Sequence, residues 1–511
     1  MYGAFAERYG FAVRIAPGSR DAETRYPDGR NQMLSWKEYA EHDATGLADL
    51  VRRREVAPRE LVALAFDAIA AQNPKINAVL HLLRDEAEAA IARGLPEGPF
   101  TGVPFLIKEV GLHAAGVPTR MGSRLADGLA LPYDTELMTR FRRAGLVTIG
   151  TTSTPEFAFN AVTEPVLFGP TRNPWNLSRS PGGSSGGAAA AVAAGIVPLA
   201  HANDGGGSIR IPASSCGLFG MKPTRGRVPA GPDVGDHLHG LGVELALTRS
   251  VRDAATLLDA VAGPDVGAPG WAERPKRPYA EEIAAPPGRL KIAFTDRFPG
   301  SGPVDPEIAA ALRRTAGALE SLGHIVVEAA PSYDAEPFEK ATIQVWAASL
   351  VGLVEMLSSV LNRPISTETM ETASLAAYEV GKRMTALELS GAFAIFNQVS
   401  RGVGAFFEAH DVLLTPGTAT FPPAIGALDQ NAPGITLESF WRQIVAFSPF
   451  TPLFNTTGQP AMSVPLHQSA SGLPIGMQFV GRFADEATLF RLAAQLEAAH
   501  PWSARRATLG A

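Results

Sequence analysis

Cysteine is nearly absent. Cys216 is the single one in 511 residues, which excludes an intramolecular disulfide and an all-cysteine metal cluster. Charge is sparse as well: charged residues make up 19% of the chain, and the formal net charge of −6 is dispersed. No Lys/Arg run provides a footprint for nucleic acid, and no acidic tail provides one for a basic partner. Long apolar runs are missing. No window approaches the roughly 18 uninterrupted apolar residues of a spanning helix. The alanine-rich stretch from Gly186 to Ala200 is too short and holds Pro198. The N-terminal "MYGAFAERYGFAVRIAPGSRD" lacks the basic start and apolar core of a secretory signal. The expectation is a soluble, cytoplasmic protein that engages neither membrane nor nucleic acid.

What is present is apolar substance. Hydrophobic residues are 46% of the total, enough for a sizeable core and too many for a disordered chain. The length suits two or three average domains or one large α/β domain. Residues 1 to about 40 are polar and irregular. From Ala44 the apolar spacing becomes helical, with two helices broken at Ala57-Pro58 and then a short strand. "PFTGVPFLIKEV" and "AGLVTIGTT" have the composition of buried strands, and 186–203 that of a buried helix followed by a strand. Such alternation indicates α/β architecture with a mixed or parallel sheet. A proline-rich stretch at about 262–290 divides the chain, and a strand-helix-strand unit follows it. A helical region spans about 334–410. "DVLLTPG" and "FNTTGQPAMSVPL" predict strands and tight turns, and a helix at 485–499 closes the chain.

Three places carry chemistry: Lys108 in "GVPFLIKEV", Ser184-Ser185 in "SPGGSSGG", and Ser208 in "HANDGGGSIRIPAS". Three glycines lead into Ser208, and glycine admits backbone conformations that other residues resist. Successive N–H groups of such a turn can converge on one anion. A serine there is placed to attack a carbonyl while the N–H groups receive the oxyanion. Serine needs a base. The ten histidines form no motif with Ser208, whereas Lys108 follows an apolar run. Burial there disfavours its ammonium form and suits it to general-base work.

These blocks, in this order, resemble the amidase signature family of serine hydrolases. The likeness runs from about Asp43, through "LVRRREVAPRELV" and "NPKINAVL", to "PFTPLFNTTGQPAMSVP" and "GLPIGMQFVGR". The resemblance implies a single α/β domain over 43–511 behind an N-terminal extension at 1–42. Its fold would be a large mixed twisted sheet with helices on both faces and a site at one edge under a lid. Carried over residue by residue, it makes Lys108 the base and Ser208 the nucleophile, with Ser184 the bridging serine, joined to Gly183 by a cis peptide bond. The backbone N–H groups of Gly205, Gly206, Gly207 and Ser208 would form the oxyanion hole. It implies an acyl-enzyme on Ser208, a small-molecule amide substrate, no cofactor and no metal, and room for ester or carbamate substrates. The assembly expected is a monomer or homodimer.

Some positions depart from the family pattern. Gly205 stands where Thr or Ile is usual, Thr151 and Ser153 where Lys and Asn are common, and Glu109 where Asp is frequent. Ser185 is expected to cap or pack with a supporting role, Asp204 and Arg210 to pair and hold the loop, and Cys216 and His201 to be packed. Phe421, Phe440, Trp441 and Phe447 are candidates for an apolar pocket, although aromatics at such spacing more often fill core. Two other readings compete. Gly182–Gly186 satisfies G-x-S-x-G, which would make Ser184 the nucleophile of an α/β-hydrolase with His467 and Asp411. The family also includes the glutaminase subunit of a tRNA-dependent amidotransferase. "TEPVLFGPTRNPWNLSRSPGGSSGG" is closer to stand-alone amidases acting on aminohexanoate cyclic dimers, aryl acylamides or urethanes.

Overall fold

The computed structural model describes residues 34–507 and residue 509. Within it, eleven segments pair into one sheet: β1 (Val79–Leu82), β2 (Pro104–Lys108), β3 (Val147–Thr152), β4 (Leu199–Asp204), β5 (Phe219–Lys222), β6 (Val243–Thr248), β7 (Lys291–Phe294), β8 (Ile325–Glu328), β9 (Val412–Pro416), β10 (Ala461–Gln468) and β11 (Pro474–Gly481). The order is β1-β3-β2-β4-β6-β5-β10-β11-β9-β7-β8. β3, β2 and β4 run parallel, as do β9, β7 and β8, and the strands between them are antiparallel. This is the mixed α/β sheet expected from the sequence. The inner strands β2, β3, β6, β9 and β11 are buried along their whole length, while the edge strands β1 and β8 are partly exposed. A strand covered on both faces needs a continuous apolar run instead of alternation, which is what "PFLIK" and "VLLTP" provide.

The two halves separated by the proline-rich stretch meet inside this sheet, because β5 pairs with β10. The stretch itself is anchored: Tyr279 is buried against Phe490, with ring centroids 5.2 Å apart. The helical region forms three helices, Ala335–Leu361, Thr372–Arg383 and Ala386–Ala409, packed into a second core through Val345, Leu350, Ala377, Phe396 and Val403. Helix Ala335–Leu361 is, by length and composition, apolar enough to cross a membrane. Here it buries Val345, Trp346, Leu350, Val354 and Leu357 against its neighbours.

Two expectations change. "FNTT" is not strand but the short helix Leu453–Thr457, stopped by Gly458 in the left-handed conformation. Packed structure also begins before residue 43. Residues 1–33 of the expected extension lie outside the described residues, but Trp36–Glu41 is a helix with a Ser35/Glu38 capping box. Its Tyr39 hydroxyl donates to the Ile196 carbonyl at 3.0 Å.

Candidate active site

Parallel strands β2 and β4 lie side by side, so their C-terminal ends open on the same edge of the sheet, where α/β folds place ligands. Lys108 ends β2, and Asn203 and Asp204 end β4. The stretch after β4 carries Gly205–Ser208 and feeds the helix Arg210–Cys216. The third contribution is Pro181–Ser185, which leads into the buried helix Gly186–Ala193. Small residues throughout that helix let it sit against the sheet. The Thr163 hydroxyl fixes this loop, donating to the Gly182 carbonyl at 3.0 Å and accepting from the Gly186 N–H at 3.1 Å. The Gly183–Ser184 peptide bond is cis, as the resemblance implied.

Lys108 is fully buried. Its Nζ lies 2.7 Å from Ser184 Oγ, 2.9 Å from Ser185 Oγ and 2.6 Å from Asn203 Oδ1. Burial pushes its pKa well below the ordinary lysine value, against the opposing pull of the Glu244 and Asp204 carboxylates. Ser185 occupies the N-cap position of its helix, yet its side chain makes no capping bond. Its hydroxyl instead faces Lys108 and donates to the Asn203 carbonyl at 3.2 Å. The capping expected of Ser185 is thus replaced by a place in the lysine's environment. His201 is packed, its Nδ1 accepting from the Lys108 N–H at 3.3 Å.

The glycine turn is held from behind by an ion pair. Arg210 and Asp204 are both completely buried and 2.8 Å apart. All five guanidinium donors find acceptors: both Asp204 oxygens, the Thr451 carbonyl, Gln478 Oε1 and Asn455 Oδ1. Burial alone would raise the Asp204 carboxyl, but the Arg210 charge and hydrogen bonds hold it well below the usual range. The Asp204 carboxylate also accepts from the N–H groups of Gly207 at 2.7 Å, Ile209 at 3.1 Å and Arg210 at 3.4 Å. The Gly207 N–H is therefore committed to Asp204, which removes it from the expected set of oxyanion donors. The N–H groups of Gly205, Gly206 and Ser208 have no acceptor among the described residues. Gly207 must be glycine: its φ is +133°, and a Cβ would lie 2.3 Å from Thr451 Oγ1.

Ser208 is 8% exposed and opens on a narrow cavity of about 40 Å³. Its walls are Phe159, Asn160, Ile211, Trp346, Trp441 and Ile444, with Gly183 and Gly206 beside the serine. No charged side chain lines it. The Ser208 hydroxyl has no hydrogen-bond partner among the described residues, so no bond joins it to Ser184. Of the four aromatic candidates, Trp441 lines this cavity. Phe440 packs behind it against Phe159, with centroids 5.8 Å apart, and Phe447 packs with Ala161, Val162 and Leu428. Ile444, three residues after Trp441, lines the cavity with it and also packs against the Phe447 cluster. Phe421 packs on the main core instead.

Sequence reasoning missed Asn203, Asn455, Gln478, Phe159 and Trp346. Gln478 carried a readable signal, a lone amide inside the apolar strand "PIGMQFVG". Two departures from the family pattern explain each other: the Thr151 hydroxyl donates to Glu109 Oε1 at 2.6 Å, and that carboxylate also pairs with Arg120 at 2.8 Å. Cys216 is buried with its thiol pushed up by burial. His467 and Asp411 do not meet: His467 contacts Thr315 at 2.7 Å, whereas Asp411 pairs with Arg482 at 3.0 Å.

The family model described as Amidase matches residues 60–490. A 6-aminohexanoate-cyclic-dimer hydrolase of Paenarthrobacter ureafaciens is 39% identical over 478 residues, covering 91% of this chain and 96% of the relative. A solved structure of 6-aminohexanoate cyclic dimer hydrolase superposes with a TM-score of 0.86 at 37% identity, covering 92% of this chain and 99% of that one. A bacterial aryl acylamidase of the amidase signature family superposes with a TM-score of 0.82 at 28% identity, covering 92% and 98%. With a family match over most of its length and relatives covered nearly end to end, the chain belongs to the amidase signature family and is an enzyme that hydrolyses amide bonds.

Proposed function

We propose that Ser208 is the nucleophile, Lys108 the base and Ser184 the carrier of the proton between them, acting on an uncharged amide with an apolar acyl part. The observation that carries this reading is the proton inventory around Lys108. Asn203 Oδ1 only accepts, its amide being oriented by Nδ2 donating to the Val110 carbonyl at 2.8 Å. Ser185 uses its one proton on the Asn203 carbonyl and so accepts from the lysine. A neutral amine has two protons and one lone pair. In the neutral form that burial favours, both protons go to Asn203 and Ser185, and the lone pair is left facing Ser184 at 2.7 Å. The Ser184 hydroxyl therefore donates to Lys108, and its own lone pairs are available to a proton from Ser208.

In the reaction, Ser208 Oγ attacks the amide carbonyl as its proton passes to Ser184 and the Ser184 proton passes to Lys108. The carbonyl oxygen takes up negative charge facing the N–H groups of Gly205, Gly206 and Ser208. Return of the proton along the same path protonates the leaving nitrogen, the C–N bond breaks, and an ester remains on Ser208. Water, deprotonated by the same relay, then cleaves the ester and regenerates Ser208. The Ser184–Ser208 link is open in the resting structure and forms as substrate is seated, as catalytic hydrogen bonds commonly do.

The absence of charge on the cavity walls supports a neutral group beside the scissile bond, such as a lactam, an anilide or the cyclic amide dimer in the name of the relative. Esters and carbamates of similar shape fit the same chemistry. A glutaminase would bring a substrate with an ammonium and a carboxylate, and nothing on these walls would pair with them. Labelling with a fluorophosphonate followed by peptide mapping tests the assignment. The label is expected on Ser208, and a label on Ser184 would sink it. Turnover of glutamine by the isolated chain, without turnover of an anilide or the cyclic dimer, would favour the amidotransferase-subunit reading.

A further inference from the structure

Gly205 is a glycine that its backbone does not require. Unlike Gly207, its φ is not positive, so any L-residue could adopt its conformation. What forbids a side chain is occupied space. A Cβ at 205 would lie 2.5 Å from Leu238 Cδ1 and 3.1 Å from both Cζ2 and Cη2 of Trp346. Real Cβ atoms essentially never come as close as 2.5 Å and seldom as close as 3.1 Å, so Leu238 must move and Trp346 must give way for a residue with a side chain at 205. They arrive from different elements. Trp346 comes from the helix Ala335–Leu361, and Leu238 from the short turn Leu238–Gly240.

That turn is held in an unusual shape. Leu238 and His239 have φ of +51° and +54°, a left-handed conformation that side chains with a Cβ rarely adopt. The turn is closed by N–H groups of Gly240 and Gly242, both donating to the His237 carbonyl at 3.0 Å. Consecutive residues in this region cost free energy and cluster where a fixed geometry matters. Here the geometry presents Leu238 to Gly205. Trp346, seated beside it, reaches over Gly206, whose Cβ position is 3.7 Å from Cζ2. From there it forms one wall of the Ser208 cavity, 5.6 Å from Phe159 and 6.2 Å from Trp441 between ring centroids.

We propose that Gly205 is a specificity-determining position: by lacking a side chain it admits Leu238 and Trp346, and Trp346 so placed limits the size of the acyl group bound next to Ser208. The inference rests on Ser208 being the nucleophile. A side chain at 205 evicts Trp346 or tilts it across the cavity, whereas a smaller residue at 346 opens the acyl side without touching the glycine turn.

The experiment compares Gly205→Thr, Trp346→Leu and the triple variant Gly205→Thr/Leu238→Ala/Trp346→Leu with the parent enzyme. Each is assayed for kcat/KM on acetyl and cyclohexanecarbonyl anilides, for fluorophosphonate labelling of Ser208, and for Tm. Trp346→Leu is expected to raise the bulky-to-small ratio of kcat/KM about tenfold or more, the scale on which a pocket discriminates by a few methylenes. Gly205→Thr is expected to lower kcat/KM on both anilides about 10-fold to 100-fold, and the triple variant to recover most of that loss, a coupling typical of residues in contact. An unchanged ratio in Trp346→Leu would overturn the proposal, and so would a Gly205→Thr loss of equal size in the triple variant, provided Ser208 is still labelled. Parent enzyme that labels at another serine would instead overturn the nucleophile assignment. If Gly205→Thr does not fold, the Trp346→Leu ratio decides alone.

Discussion

Lys108 shows how one residue's chemistry follows from where a strand ends. Its stem continues the apolar run of β2, and its Nζ reaches three polar oxygens without meeting a carboxylate in direct contact. With no carboxylate in direct contact, burial dominates over the more distant Glu244 and Asp204 charges and disfavours the ammonium form. The sign of the pH dependence follows. Lowering the pH protonates Lys108 and removes the lone pair that faces Ser184, so kcat/KM falls toward acid. The midpoint of that limb is expected well below the ordinary lysine value of about 10.4, in a pH–rate profile on a neutral anilide, and a limb near the ordinary value would contradict a buried neutral base. Lys108→Ala is expected to lower kcat about 10³-fold or more. Lys108, Ser184 and Ser208 were legible in the sequence because each sits in a short block whose residue types serve one task. Asn203 was not, because its part depends on the register between β4 and β2. That the Gly207 N–H goes to Asp204 was not legible either, because only the fold turns that carboxylate back onto the glycines.

At the scale of elements, the helical region is joined to the catalytic side by a pair of buried acids. Glu371, the N-cap of helix Thr372–Arg383, donates its backbone N–H to Glu156 Oε2 at 2.8 Å. Its own carboxylate accepts from the Val166 N–H at 3.0 Å. Burial first, and then the Glu156 charge, raise the Glu371 pKa to about 7. The folded chain therefore binds a proton that the unfolded chain releases between pH of about 4.5 and 7. The stability that this proton brings is fully present below the lower value and is lost as the pH rises through the upper one. Glu371→Gln keeps the acceptor and removes the charge. It is expected to raise stability by ~1–3 kcal/mol at pH 8 and to leave it nearly unchanged at pH 4.5, in denaturant titrations at the two pH values. That this region is helical was readable from apolar spacing, whereas its division into three helices was not. Which residue of Leu437–Phe447 faces the cavity was not, since periodicity gives the faces of a helix but not the neighbour each one meets.

Over the whole molecule, the proline-rich stretch looks in sequence like a divider, and the sheet shows that it divides nothing. β5 from the first half pairs with β10 from the second, and buried Arg227 pairs with buried Glu486 at 2.9 Å across the same join. A chain cut within 262–290 would leave β5 an unpaired edge and Arg227 a buried charge without its partner, both costly. Each half expressed alone is expected to be insoluble. Co-expression should return soluble, Ser208-labelled complex by size-exclusion chromatography, whereas a stable, monomeric first half would show that the sheet folds in two independent parts. The sequence by itself determined the α/β class and, through the family resemblance its blocks carry, the candidate side chains Lys108, Ser184 and Ser208 and the amide-hydrolysing reaction, because short blocks and their order are properties of the chain alone. The tertiary structure alone decided which N–H groups of the glycine turn lack an acceptor among the described residues, which oxygens surround Lys108 Nζ, and which side chains fill the space beside Gly205. Those are matters of contact between segments far apart in the chain, set by register and packing.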